Sequence, residues 1–402
     1  MNFYILGVKL KKVLFVAHVD SHIRHFHIPY LKYFHDKGYE VHVATSNDEN
    51  EKFEYCDKKH TLSIERSPFK LNNLKAINQM FELLKNENYD FVHCNTPMGS
   101  VVTRLGIKKY RKYIKKNDNM MTDTEVIYTA HGFHFFKGAP LSYWMIYYPI
   151  EKWLSKYTDK LITINKEDYN IALKFKAKKV YKIDGVGVDA QKFNFQMSND
   201  DKKKLKKDLS SIDNEFKMSD SDVVVTYVAE LIKRKNQDLI IDVMKDILDD
   251  KESPKNVKLL LVGTGELKDY YQKRINDLKL EKNILLTGYR RDVPKILAIS
   301  DIAISCAKHE GLPFNLVEAQ MSGLPCVATD VRGNNEVLEE NQTGYLINTK
   351  DKKKCKERFK NKLLKLVNSE SMRTRMGKNA LENSKKYKLS RIIDEMKKIY
   401  EE

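Results

Sequence analysis

Short apolar runs alternate with longer amphipathic stretches along most of the 402-residue chain. Each apolar run spans three to six residues and is rich in Val, Ile and Leu, which is typical of strands buried on both faces of a parallel sheet. The stretches between them, such as residues 71–87 and 142–157, have helical length and periodicity. Repetition of strand and helix predicts a parallel α/β architecture.

The alternation breaks once, in the polar and charged stretch 196–221, and then starts again. We therefore predict two tandem doubly wound domains, with strands at residues 13–17, 41–44, 90–94, 126–129, 160–164, 180–183, 223–228, 257–262, 284–287, 302–305, 325–329 and 345–347. The first domain is placed at residues 1–190 and the second at 191–387. A final helix, residues 388–402, is expected to pack back toward the first domain.

Length and composition agree with this division. A chain of 402 residues that is 42% hydrophobic can fill two cores. No run approaches the ~20 apolar residues that a membrane span requires, and residues 1–10 are interpreted as a short tail. The five cysteines are scattered and never spaced as Cys-x-x-Cys, which argues against disulfides or structural zinc. A cytoplasmic protein is expected.

The net charge of +17 is spread over both halves, as in a generally lysine-rich chain, and we predict no nucleic-acid partner. One segment differs: residues 104–116 carry seven cations and no acid, and they are predicted to form a helix. Arg104, Lys108, Arg111 and Lys115 would share one face of it. Such a face suits anionic lipid headgroups, although a solvated helix surface is the competing interpretation.

Two glutamates stand out after the strand at 302–305. Glu310 lies in a loop, and Glu318 lies in the second turn of a helix predicted from Phe314 to Ser322. This spacing lets the two carboxylates reach different parts of one long ligand, and the helix N-terminus between them suits a diphosphate. Gly263 and Gly265 follow the strand at 257–262 and would allow close backbone approach to an anion, but tight packing explains such glycines equally well.

Residues 286–345 resemble the nucleotide-sugar-binding region of the family-4 retaining glycosyltransferases, which have the GT-B fold. The matching elements are Gly288–Pro294, Ala298–Asp301, Ser305, the Glu310–Glu318 pair, Ala319–Ala328, Gly333 and Glu336. The resemblance implies that Glu310, with Gly311, Leu312, Pro313 and Phe314 beside it, contacts the donor sugar and diphosphate. Glu318 would bind the ribose, and the backbone near Arg290 the base. The family uses neither a metal nor another cofactor, and the chain has no Asp-x-Asp motif.

The segment 228–236 resembles the family's diphosphate-binding stretch. Lys235 matches its lysine, but Glu230 occupies the position of its arginine. Either Lys233 or Arg234 substitutes for that arginine, or Lys235 and the helix dipole suffice.

In the first half, the segment 128–134 resembles the family's strand-end His-Gly, which directs His131 toward the reacting sugar. The loop 18–22 resembles that of bacterial capsule and exopolysaccharide transferases, and places Asp20, Ser21 and His22 at the acceptor or phosphate side. His134 is a weaker candidate.

These features predict a retaining, metal-independent glycosyltransferase that moves a hexose or N-acetylhexosamine from a UDP-sugar to a polyprenyl-diphosphate-linked or other glycan acceptor. It would act in capsule or exopolysaccharide synthesis, as a peripheral protein on the inner face of the cell membrane. Two alternatives remain open: a sugar-nucleotide 2-epimerase of the same fold, and a non-catalytic polybasic protein that binds membrane or nucleic acid.

Overall fold

The computed structural model describes residues 4–5, 8–46, 52–117 and 124–402. It divides the chain into two compact units. The first comprises Met1–Val186 together with Glu395–Glu402, and the second comprises Gly187–Asp394. Among the described helices, none has both the length and the apolar character needed to cross a bilayer.

The first unit is built on a parallel sheet. Its strands are β3 (Lys12–Val16), β4 (Glu40–Thr45), β5 (Lys58–Thr61), β6 (Phe91–Asn95), β7 (Glu125–Ala130), β8 (Lys160–Thr163) and β9 (Lys179–Lys182). Strand β1 (Tyr4–Ile5) pairs antiparallel with β2 (Val8–Lys9) in a separate two-stranded sheet. Its helices are α1 (Asp20–Phe26), α2 (Ile28–Asp36), α3 (Asn72–Glu87), α4 (Pro97–Lys116), α5 (Leu141–Leu154) and α6 (Lys166–Ala172). Over the described residues the sheet order is β5-β4-β3-β6-β7-β8-β9.

The second unit repeats this plan. Its strands are β10 (Val223–Val228), β11 (Val257–Val262), β12 (Ile284–Gly288), β13 (Ile302–Ser305), β14 (Cys326–Thr329) and β15 (Gly344–Ile347), in the order β12-β11-β10-β13-β14-β15. Its helices are α7 (Ala190–Phe193), α8 (Asn199–Ser210), α9 (Gln237–Asp249), α10 (Lys268–Asp277), α11 (Val293–Ala298), α12 (Phe314–Met321), α13 (Asn334–Val337), α14 (Lys352–Val367), α15 (Glu370–Ser384) and the start of α16 (Leu389–Glu401). Short 3-10 turns occupy Ser155–Tyr157 in the first unit and Lys385–Tyr387 in the second.

The winding of each sheet reverses at a central strand. In the first unit β3 lies between β4 and β6, and in the second β10 lies between β11 and β13. Crossovers therefore leave to opposite sides, and helices cover both faces of each sheet. Along β10, Val223 and Val225 enter one core, while Val224 enters another. Ligands of such sheets bind beyond the carboxyl ends of the strands at the reversal point.

All twelve predicted strands are confirmed, with ends displaced by at most one residue. The doubly wound α/β prediction is therefore correct. Three elements were missed. Strand β5 is a polar edge strand with no apolar run, and the β1–β2 pair lies in the predicted tail. Helix α8 lies inside the hydrophilic break, and its Leu205 and Leu209 pack in the same core as Phe216.

The prediction of one basic face on residues 104–116 is wrong in part. Arg104 is only 1% exposed. Its guanidinium forms a bidentate ion pair with Glu151 of α5, at 2.8 and 3.1 Å, and also donates to Ser100. Arg111 is half-buried and pairs with Asp159 at 2.7 Å. The exposed cations of α4 are lysines alone, at positions 108, 109, 112, 115 and 116.

Candidate active site

The loop after β10 and the loop after β13 meet in the second unit. The Arg234 guanidinium lies 2.7 Å from one carboxylate oxygen of Glu310, and the Lys235 ammonium lies 2.5 Å from the other. Glu310 is 6% exposed, so its charge is compensated by two cations rather than by water. The cluster stands at the reversal point of this sheet, where the winding changes side.

Surrounding bonds hold this cluster in place. The Tyr227 hydroxyl, at the end of β10, donates to the carbonyl of Lys235 at 2.8 Å. The Glu310 backbone N–H donates a hydrogen bond to the carbonyl of Arg332. The Arg332 guanidinium donates in turn to the carbonyl of Glu310. Gly333 has φ +86°, and a Cβ there would lie 2.9 Å from the Glu310 side chain. A glycine at this position therefore lets the two loops approach closely.

Helix α12 begins at Phe314, as predicted, three residues beyond the glycine that follows Glu310. Gly311 is half-buried, Leu312 and Pro313 are buried, and Phe314 is the first helical residue. The helix ends at Met321, and Gly323 follows with φ +74°. Its N-terminus, the positive end of the helix dipole, therefore follows the loop that carries Glu310.

Glu318 lies on α12 and is partly buried. Loss of hydration raises the pKa of its carboxyl to about 7. Its carboxylate forms no hydrogen bond or ion pair within the described part of the chain. A partly exposed acid without a partner is suited to accept hydrogen bonds from a ligand's hydroxyl groups.

The two glycines after β11 have a packing role. A Cβ on Gly263 would lie 2.1 Å from the carbonyl oxygen of Ala229, and one on Gly265 would lie 2.5 Å from that of Leu231. The turn after β11 therefore packs against the turn that leads to Lys235. Close packing accounts for both glycines, and their contact with a donor stays a prediction.

The residues near the predicted base site are also described. Arg290 forms two hydrogen bonds, at 2.8 and 2.7 Å, with the carboxylate of Asp292. Glu230 is exposed, and Gln237 bonds to its backbone carbonyl. Among the cations that could replace the family's arginine, Arg234 reaches Glu310, whereas Lys233 is exposed.

In the first unit, the structure brings His22 and His131 together, with ring centroids 4.7 Å apart. Burial and neighbouring histidines lower the pKa of His131 well below its ordinary value, and burial lowers that of His22 to about 4. Both rings are therefore neutral at pH 7. His134 lies outside this cluster, with its ring stacked on Tyr147.

The predicted loop 18–22 is largely helical, because α1 begins at Asp20. An acidic residue in the first turn favours a helix start. The buried Asp20 carboxylate accepts a hydrogen bond from Thr45 and pairs with Lys59 at 2.7 Å. Ser21 is exposed. Asp20 thus anchors α1 to the neighbouring strands.

Sequence reasoning missed His27 and His93, which pack beside His22 and His131. Both nitrogens of His27, and Nε2 of His22 and His131, are buried without a hydrogen-bond partner within the described ranges. One ligand atom from each of these three histidines lies within 4.8 Å of the others. Neutral imidazoles in this arrangement could hold a transition metal. The density of histidines over residues 18–27 was the available signal.

A second group, His42, His60 and Glu87, also has metal-ligand spacing. Hydrogen bonds account for it more simply. His42 bonds to the Tyr89 hydroxyl at 2.6 Å and to Glu40 at 2.9 Å, while His60 bonds to His42 at 3.1 Å.

Comparison with known proteins gives consistent matches along the chain. The family "Glycosyl transferase 4-like" matches residues 12–165, and "Glycosyl transferases group 1" matches residues 210–383. EpsD of Bacillus subtilis, assigned as a glycosyltransferase, is 34% identical over 97% of this chain and 96% of its own length. The Escherichia coli UDP-Gal:alpha-D-GlcNAc-diphosphoundecaprenol alpha-1,3-galactosyltransferase is 30% identical over 70% of this chain and 68% of its own.

Solved structures show the same fold. Anabaena HepE in complex with UDP aligns with a TM-score of 0.74 and 17% identity, covering 98% of this chain and 99% of HepE. Among sequence relatives, the capsular polysaccharide biosynthesis glycosyltransferase CapM of Staphylococcus aureus is 22% identical over 92% of both chains. The chain therefore belongs to the family-4 glycosyltransferases of the GT-B fold, and it is a glycosyltransferase of bacterial polysaccharide biosynthesis.

Proposed function

We propose that this enzyme transfers a hexose or N-acetylhexosamine from a UDP-sugar to a lipid-linked glycan, with retained anomeric configuration and without a metal ion or another cofactor. The observation that carries the proposal is the convergence of Arg234 and Lys235 on Glu310 at the reversal point of the second sheet.

The diphosphate leaving group sets the main electrostatic demand, because negative charge develops on it as the glycosidic bond breaks. Lys235 and Arg234 would contact the diphosphate, assisted by the N-terminus of α12. Without donor, their charge is balanced by Glu310. With donor, the diphosphate takes over both cations, and the Glu310 carboxylate becomes available to the sugar hydroxyls.

The choice of UDP is supported by relatives of the same fold. HepE has been solved with UDP and with UDP-glucose, and the E. coli relative is named for a UDP-Gal donor. Glu318 would accept hydrogen bonds from the ribose hydroxyls, which would supply the partner that its carboxylate lacks.

His131 would position the donor sugar as a neutral hydrogen-bonding group. Its lowered pKa leaves the ring uncharged at pH 7, so it adds no positive charge beside an oxocarbenium-like centre. His22, in contact with it, would hold the ring orientation.

The proposed acceptor is a glycan on a polyprenyl diphosphate, as in the name of the E. coli relative. The enzyme would meet it as a peripheral protein on the inner face of the membrane. Two adjoining surfaces support this position. Helix α4 exposes five lysines, and Lys108 lies 4.7 Å from the ring of Trp153 on α5. Helix α5 exposes Leu141, Met145 and Ile150, as interfacial helices do.

The test is transfer from UDP-sugars to a synthetic lipid-linked acceptor, with the product's anomeric configuration read by NMR. Arg234→Ala and Lys235→Ala should each lower kcat/KM by roughly tenfold to a hundredfold, because each removes a charge-assisted contact to the diphosphate. Lys233→Ala, which alters the exposed neighbour, is the matched control and should leave the rate unchanged.

Activity should survive exhaustive chelation and gain nothing from added zinc. Loss on chelation, with recovery by zinc, would instead assign the His22–His27–His131 group as a metal site. Formation of the 2-epimer from UDP-N-acetylglucosamine alone would replace the transferase proposal with an epimerase.

A further inference from the structure

The first unit contains a largely apolar cavity of about 750 Å³, within the range of roughly 300–1,000 Å³ that is typical of ligand sites. Its walls come from the segment before α3, the first turns of α3 and α4, and one side of α5. Representative lining residues are Leu74, Ile77, Met98, Leu105, Ile146 and Ile150. We call it the apolar cavity.

The rim of the apolar cavity is unusually exposed. Phe69 and Leu71 are each 81% exposed, and Leu74 is 61% exposed. Ile146 and Ile150 of α5, which also line the cavity, are exposed as well. Apolar side chains clustered in this way form a large patch that is exposed to water. Patches of this kind usually mark a surface that a ligand, a partner or a membrane covers.

Residues of the candidate active site also line the apolar cavity. They are His22 of α1 and Gly132, which follows His131, and His18 lies between β3 and α1. Two cations, Arg66 and Lys70, also line the cavity. The cavity thus combines apolar walls with two cations, and His22 of the histidine group contributes to its lining.

We propose that the apolar cavity binds the first isoprenoid units of the lipid-linked acceptor, with Arg66 and Lys70 on its diphosphate. The inference rests on the proposed function and names the part of the acceptor that this unit recognises. Charge complementarity favours this occupant, since the anionic diphosphate between sugar and isoprenoid chain matches a cavity that has both apolar walls and two lining cations. A membrane phospholipid would match the apolar walls and offer one phosphate, but it carries neither a diphosphate nor a sugar.

The direct test measures binding of farnesyl diphosphate to the full-length protein by calorimetry, with inorganic diphosphate and dodecyl phosphate as comparison ligands. Farnesyl diphosphate should bind at least about tenfold more tightly than inorganic diphosphate, since burial of an isoprenoid chain contributes more than one such factor. It should also bind more tightly than dodecyl phosphate, because its second phosphate adds charge-assisted contacts to Arg66 and Lys70. Equal binding of dodecyl phosphate would overturn the proposal in favour of a general acyl site. Binding no tighter than inorganic diphosphate would overturn it entirely.

Variants locate the binding. Phe69→Ser and Ile146→Ser should each lower the affinity for farnesyl diphosphate by about tenfold. The affinity for inorganic diphosphate should stay unchanged. Both side chains are exposed, so neither substitution removes core packing. Leu173→Ser, at an exposed leucine outside the cavity, is the matched control. Unchanged farnesyl diphosphate affinity in both cavity variants would place the chain elsewhere and contradict the proposal.

Transfer assays separate this inference from the proposed function. In the cavity variants, KM should rise for an acceptor with a long isoprenoid chain and stay constant for one with a short alkyl chain. One outcome is that the wild type glycosylates no lipid-linked acceptor while the cavity variants still bind farnesyl diphosphate more weakly than wild type. In that case the acceptor assignment fails and the cavity assignment stands. If both acceptors behave alike in every variant, the cavity assignment fails while the transferase stands.

Discussion

Glu310 and Glu318 lie eight positions apart, and the fold treats their charges differently. Glu310 is buried, but two cations lie within ion-pair distance of it. Glu318 has no such neighbour in the described ranges, and burial raises its pKa to about 7. An ionised Glu318 therefore costs stability in the empty enzyme. This pattern is common at functional sites, where a side chain placed to bind a ligand lowers the stability of the folded protein when the ligand is absent.

Replacing this acid tests that cost. In the unfolded chain the carboxyl titrates near 4.5, so the folded state holds the proton more tightly. The stabilisation is complete below that pH and is lost as pH rises toward 7. Glu318→Gln removes the titration, and at pH 8 it should be more stable than wild type by about 2 kcal/mol. Urea unfolding at pH 5 and pH 8, followed by circular dichroism, measures the difference.

The exposed Glu252, in the same unit, provides the control: Glu252→Gln should change stability equally little at both pH values. A Glu318→Gln variant that is less stable than wild type at pH 8 would show that the carboxylate has a favourable partner in the folded protein. The expected cost of the substitution appears in binding, as weaker affinity for UDP.

Sequence could identify Glu310, Glu318 and Lys235 because each lies in a short segment whose order along the chain carries the signal. It could not choose between Lys233 and Arg234, since that depends on which side chain turns toward Glu310 after the β10 loop closes. The histidine cluster was predicted only in part, because contacts that arise from packing do not follow from the order of residues along the chain. His131 follows a strand end, whereas His27 and His93 join it only through packing.

At the scale of elements, α4 shows where periodicity misleads. Charged side chains at helical spacing predict an exposed face, yet Arg104 of this set lies inside the unit. Its guanidinium stacks 4.4 Å from the Tyr128 ring and pairs with Glu151. The strands were easier to place, because parallel strands covered by helices must be apolar throughout. The polar edge strand β5 was missed because it lies at the edge of its sheet, where that requirement is relaxed.

The Arg104–Glu151 pair joins α4 to α5, and its loss should destabilise the first unit. Arg104→Ala leaves Glu151 without a partner, and should lower the free energy of unfolding by about 3–5 kcal/mol. Both tryptophans of the chain, Trp144 and Trp153, lie on α5. Urea unfolding followed by tryptophan fluorescence therefore reports this contact directly.

Lys112→Ala, on the exposed side of α4, should change the midpoint very little. The double variant Arg104→Met with Glu151→Leu should recover much of the loss, because apolar side chains can replace a buried ion pair at little cost. An Arg104→Ala midpoint equal to that of wild type would mean that the ion pair contributes no net stability.

At the scale of the whole molecule, the chain consists of two units with separate hydrophobic cores. The repeated strand–helix pattern made the number of units predictable, whereas the order of strands in each sheet was visible only in the structure. The net charge of +17 carried no information about the fold. On α4, the structure shows Arg104 buried and Arg111 half-buried, whereas five lysines are exposed. Only that distinction indicates which of the charges face solvent.

Separate cores predict separate responses to a ligand. UDP bound by the cluster of Arg234, Lys235 and Glu310 should stabilise the second unit by about 2.7 kcal/mol at a hundredfold excess over Kd. In hydrogen exchange, the slowest amides of β10–β15 should then become roughly a hundredfold slower, while those of β3–β9 keep their rates. The Arg234→Ala variant, given the same UDP concentration, should show less protection, and Lys233→Ala should match wild type. Equal protection of both sheets would show that the units open as one cooperative structure, so that donor binding at one core stabilises the other. Protection confined to β3–β9 would place the nucleotide in the first unit and reverse the assignment of donor and acceptor sides.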